Sequence, residues 1–80
     1  MMLKCLVFHN GLVLIGIIEE ISAELGNPDC QLKDFCEIKD NKVQKWVSFT
    51  DDKVMLIRSE NIFTIFNPSE EIKKMYFEVN

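Results

Sequence analysis

Histidine occurs once in these 80 residues, at His9, and cysteine three times, at Cys5, Cys30 and Cys36. No C-x-x-C or H-x-x-x-H spacing is present, so the four side chains that could nominally hold zinc lack the usual ligand pattern. An odd number of cysteines with no close pair argues against a disulfide framework and for a reducing compartment. Free cysteines of this kind behave as small buried hydrophobes. Basic residues are also scarce, 9 against 13 acidic for a net charge of −4. Duplex nucleic acid calls for a basic face, which this balance does not offer, although it leaves room for a small local basic site.

Long apolar runs are missing too. The stretch "GLVLIGII" falls far short of the roughly 20 residues that span a bilayer. Lys4 ahead of apolar residues, with "ISA" after them, imitates a signal peptide. His9, Asn10 and Gly11 interrupt that imitation, and Glu19 and Glu20 stand just before the supposed cleavage site. Low-complexity tracts and internal repeats are absent. So is a nucleophile–base–orienter set: the single histidine lies beside a turn, and the adjacent pairs "EE" and "DD" would point to opposite faces of a strand. The expectation is a non-enzymatic protein with no cofactor and no metal.

What is present is apolar material for a core, 48% of the chain. A chain of this length makes a single domain, 1–80. It buries only about 60% of its unfolded surface, so a partner subunit is one way to supply the remaining stability.

"LKCLVF" at 3–8 reads as a strand and "HNG" as a turn, with Asn10-Gly11 a strong hairpin signal. "LVLIGIIEEISAEL" carries two signals. Leu14, Ile18, Ile21 and Leu25 recur at helical spacing, whereas the Val and Ile content and an internal Gly16 favour a strand. A turn at 26–29 follows, then a strand of about residues 30–38 in imperfect register, and a turn at "KDNK". A further strand is expected around Trp46, Val47 and Phe49, the aromatic pair covering an opening or a subunit contact. The polar turn "TDDK" comes next. "VMLI" and "NIFTIF" then read as the last two strands, a hairpin with Arg58, Ser59, Glu60 and Asn61 at its tip. In "NPSEEIKK", Asn67 caps a short helix with Pro68 at its first position, and Ile72, Met75 and Tyr76 share one face. The sum is an antiparallel all-β domain of five or six strands with one small helix.

Two patterns stand in order along this chain. "FHNGLVLIGII" places Gly11 at a turn and Gly16 five residues later. "LIRSENIFTI" reads Ile57-Arg58, a small residue, a spacer, Asn61, Ile62. Together they resemble the Sm/LSm family of small RNA-associated barrels, over residues 3–66. The resemblance implies a strand for 13–21. It also implies an open, strongly bent five-stranded (SH3-like) barrel at 3–66, with 67–80 a C-terminal helix or tail outside the pattern. It further implies a homo-oligomeric ring of five to seven subunits, in which the strand at 54–57 of one copy pairs with the strand at 62–66 of the next. Single-stranded, often uridine-rich RNA would bind at the central opening. Arg58 would stack on or bond a base, Asn61 would orient its loop, Asn27 would offer a base-edge contact, and Ser22 would stand where the family has an aspartate. Ser59 replaces the family's glycine, and the family's asparagine falls near Gly26, one short of Asn27. Members usually begin with a helix for which the residues ahead of the first strand leave no room. The region 39–53 is longer than the pattern needs.

Some relatives of this kind come from phages; the expected localisation is cytoplasmic, in the host cytoplasm if the chain is of phage origin. Glu19, Glu20 and Glu24 would repel phosphates at such a site. The rival reading is therefore a ring kept as a protein-interaction or structural hub with an eroded nucleic-acid site. A third reading is an unrelated small barrel acting as a monomeric adaptor.

Overall fold

The computed structural model describes residues 3–80; the first two residues of the domain expected over 1–80 lie outside them. Six strands and a helix follow in order. They are β1 (Leu3–Phe8), β2 (Val13–Glu20), β3 (Cys30–Lys39), β4 (Lys42–Lys45), β5 (Val54–Ile57), β6 (Ile62–Phe66) and α1 (Glu70–Val79), with a single 3-10 turn at Ser59–Asn61 between β5 and β6. All pairings are antiparallel. The sheet runs β4-β3-β2-β1-β6, and β5 joins it on β3. The chain is therefore all-β with a short C-terminal helix, in six strands, within the five or six read from the residues and one more than the resemblance implies.

The ambiguous segment is a strand. Its helical spacing is overridden by the β1–β2 hairpin, where Phe8 N–H donates to Leu12 C=O at 2.9 Å and Gly11 takes a φ of 89°. Apolar residues crowd β1 and β2 at successive positions because both faces of the sheet are covered. On one face Cys5, Ile15, Cys36 and Val43 pack with Tyr76 of α1, and Leu3, Ile38, Ile72 and Met75 surround them. On the other, Leu6, Leu14, Cys30, Leu32 and Ile57 form a second cluster, closed by residues that include Phe35, Trp46 and Ile62. The three cysteines are free and buried, and desolvation pushes their thiols above the ordinary value.

The imperfect register of β3 has a physical cause. Its pairing with β2 slips by one residue between Ile15↔Cys36 and Ile17↔Lys33, and Asp34 there adopts a φ of 51°. This is a β-bulge, which bends a strand sharply. Before it, Cys30–Lys33 pair with β5; after it, Cys36–Lys39 pair with β4. Gly16 lies opposite. A Cβ at this position would stand 2.7 Å from the Lys33 carbonyl oxygen and 2.9 Å from Leu32 Cγ, so the strands can approach this closely only over a glycine.

Three expectations need correction. "VMLI" and "NIFTIF" do not pair as a hairpin: β5 lies on β3 and β6 on β1, and the 3-10 turn carries the chain from one to the other. Trp46 is partly buried, edge-on to Phe35 with ring centroids 6.0 Å apart, but Phe49 is 85% exposed and covers nothing in this chain. The strand in this region is Lys42–Lys45, built on a tight turn with positive φ at both Asp40 and Asn41, the geometry that matches strand twist. The helix cap is Ser69, not Asn67: its hydroxyl accepts from Ile72 N–H at 3.2 Å. Asn67 instead accepts a hydrogen bond from the Lys4 ammonium.

Two tests follow from this packing. Gly16→Ala should destabilise the chain by about 1–3 kcal/mol in urea unfolding, because the obstacle is backbone and cannot swing away. Tyr76 is 2% exposed, and its hydroxyl donates to the Asp34 carbonyl at 2.9 Å. Burial, with Asp34 and Cys36 adding to it, pushes the phenol from 10.0 up to about 12. Above pH 10 the unfolded chain ionises this group while the folded chain keeps its proton. Tyr76 therefore contributes stability that is complete below pH 10 and lost as pH rises towards 12. Tyr76→Phe should cost about 1 kcal/mol at neutral pH and flatten that alkaline slope, as read from unfolding curves at stepped pH.

Candidate nucleic-acid interface

β5 ends at Ile57, and Arg58 follows in extended conformation (φ −86°, ψ 125°) before the 3-10 turn, which Asn61 N–H closes by donating to the Arg58 carbonyl at 3.0 Å. The loop between β2 and β3, residues 21–29, comes to the same corner. Its neck is closed where Ile21 N–H donates to Asp29 C=O at 2.9 Å, and its tip is turned by Gly26 at a φ of 88° with Asn27 N–H donating to Glu24 C=O at 3.0 Å.

Asp29 joins the loop to the corner. Its N–H donates to Ile57 C=O at 3.1 Å. Its two carboxylate oxygens accept from Ser59 N–H at 2.7 Å and from Ser59 Oγ at 2.6 Å. The hydroxyl first, and then the backbone N–H, hold the carboxyl below its usual range, so it stays charged.

Between loop and corner lies an open groove of about 480 Å³, lined by residues that include Glu24, Asn27, Asp29, Arg58, Ser59 and Glu60. Arg58 also borders a second groove of about 560 Å³, with Phe8, His9, Asn10, Pro28 and Asn61 on its walls. Arg58 thus stands on the ridge between two grooves. Of the residues predicted from the sequence, Arg58, Ser59 and Asn27 share the first groove and Asn61 lies in the second. Ser22 is exposed and lines neither. Reading the sequence missed Asp29, His9 and Phe8. The pairing Phe8↔Ile62 brings the β1–β2 turn to this corner, and the His9 ring is held edge-on to Phe63 at 5.6 Å. Neither contact has a local signal in the chain.

The charges are mixed. The first groove has three carboxylates, Glu24, Asp29 and Glu60, to one guanidinium. Among the described residues Arg58 is in no ion pair. Glu19, nearby on β2, is occupied by Lys33 at 3.0 Å and Gln31 at 3.0 Å; the Lys33 hydrogen bond lowers its carboxyl most. An unpaired planar guanidinium beside side-chain amides can stack on a base and donate to its edge. Among the described residues, no group of three or more His, Cys, Asp or Glu is placed to hold a metal ion, and no helix is long and apolar enough to cross a membrane.

Over residues 1–80 the chain matches the profile of a family of unknown function (DUF6561), and it belongs to that family. No curated protein matches the chain.

Because Arg58 is exposed and without an ion pair, Arg58→Ala should leave stability within about 0.5 kcal/mol of the parent. Asn27→Ala should do the same, since only its backbone is bonded within the loop. Reversible urea unfolding of the two variants checks both.

Proposed function

We propose that this protein is a non-catalytic, Sm-like small β-barrel that assembles into a ring of five to seven subunits and binds single-stranded nucleic acid, RNA in the first instance, around a central opening rimmed by Arg58. One observation carries the reading. The two strands flanking the Arg58 turn are end strands of the same sheet, β5 bonded only to β3 and β6 only to β1 among the described residues. Both expose apolar side chains: Val54 and Leu56 on one, Phe63, Ile65 and Phe66 on the other. Unpaired apolar edges invite another chain. Laying β5 of one copy along β6 of the next is a head-to-tail contact that closes into a ring when the rotation allows. The strand order β6-β1-β2-β3-β5 suits the barrel that the resemblance implies. Each subunit then presents one Arg58 at a common opening, and contacts too weak singly gain by multivalency.

The three carboxylates beside Arg58 favour a second reading, a ring that serves as a protein-interaction hub and whose nucleic-acid site has eroded.

Light scattering or sedimentation at micromolar concentration should return a mass of five to seven chains, and a stable monomer would sink both readings. Oligouridine titrated at low salt should bind the ring, with Arg58→Ala weakening it by roughly 1–3 kcal/mol. A ring that takes up no oligonucleotide would favour the hub.

A further inference from the structure

Asp29 uses every polar group it has. Its N–H, its C=O and both carboxylate oxygens are bonded, respectively to Ile57, Ile21 and Ser59. Such complete employment is unusual for a loop residue that is only partly buried. Two of the four bonds go to Ser59, thirty residues away, which donates both its backbone N–H and its hydroxyl.

The bonds join two pieces of chain that no strand pairing joins at this level. Beyond Cys30↔Ile57 the β3–β5 ladder continues only as the Asp29 N–H bond to Ile57 C=O, and above its closed neck the 21–29 loop ends in a fully exposed Leu25. We infer that Asp29 and Ser59 are positioning residues: their paired hydrogen bonds clamp the 21–29 loop to the Arg58 corner, so that Asn27 and Arg58 face one groove as a preformed rim. The inference rests on the nucleic-acid reading for its consequence, but the clamp is a property of the loops and can be measured without a ligand. A bond to a charged group contributes more than a neutral one, and ordering the rim before binding removes that cost from the binding step.

Electrostatics alone makes the opposite forecast. Asp29 is an anion beside a site for a polyanion, so removing its charge should tighten binding if it has no positioning role. The sign of the effect therefore separates the two accounts.

The experiment compares the full-length parent with Asp29→Asn, Ser59→Ala and Ser59→Thr, using an oligouridine at low salt and amide hydrogen exchange without ligand. Asp29→Asn and Ser59→Ala should each weaken binding, by about tenfold for the former. Ser59→Thr, which keeps the hydroxyl, should bind like the parent. In an Arg58→Ala background Asp29→Asn should have little further effect, because it acts through Arg58; an equal loss in both backgrounds would indicate general structural damage and overturn the positioning role. Tighter binding by Asp29→Asn would overturn it as well. Exchange at the amides of Ser59 and Ile21 should quicken about tenfold in Asp29→Asn. Unchanged exchange would refute the clamp itself. A parent that shows quickened exchange on mutation yet binds no oligouridine would uphold the clamp and overturn the nucleic-acid reading instead.

Discussion

The close approach of β2 and β3 at Gly16 is the constraint on which the rest of this structure depends. With no side chain there, the Lys33 carbonyl comes within 2.7 Å of the position a Cβ would take, and β3 can turn sharply at Asp34. The turn divides β3 between two partners on the same edge, β5 before it and β4 after it. It also divides the buried cysteines, sending Cys30 to one cluster and Cys36 to the other. Straighten β3 and β5 could no longer swing round to carry Arg58 towards the β1–β2 turn. The candidate interface is thus a consequence of a bend about one strand length away.

The helix secures the same bend from outside. Tyr76 reaches past the sheet to bond the Asp34 carbonyl, and Asn80 continues the contact, its side-chain amide donating to Tyr76 C=O at 3.0 Å and lying 3.4 Å from Cys36 Sγ. A ten-residue helix is marginal alone. Here Ile72, Met75 and Tyr76 fix it on one apolar face, as their spacing foretold, and it in turn covers a sheet face that would otherwise be wet.

How much of this was legible in the chain follows the range of each interaction. Strand content was readable because β-branched residues and turn formers act locally: Asn10-Gly11 and the turn at 40–41 fall where the structure turns. The bulge showed only as the broken alternation of "CQLKDFCEI", a symptom without its cause, since the cause is Gly16 on another strand. The helix cap was misplaced by two residues because Asn67 and Ser69 are both good caps, and a distant Lys4 claimed the first. Arg58 and Ser59 stand in one of two short motifs and Asn27 beside the position of the family's asparagine, and the structure brings the three to one groove. Asp29 went unmarked, because nothing in "NPDC" reveals a partner thirty residues on, and His9 came to the site only through the pairing of β1 with β6. A pattern of local spacing marks candidate residues but not the bond that holds them together.

The three buried thiols give the fold an internal chemistry of its own. Cys5 and Cys36 lie under the helix, Cys30 on the opposite face beside β5, and burial keeps all of them protonated and inert. Cys36, at 1%, is the most deeply covered, whereas Cys5 and Cys30 keep 8% and 7% of their surface and Cys30 borders an open groove with Ile18, Glu20 and Ile62. Departure of α1 would uncover Cys36, which packs with Tyr76. The rate at which the Cys36 sulfur is capped would therefore time the parting of the helix from the sheet.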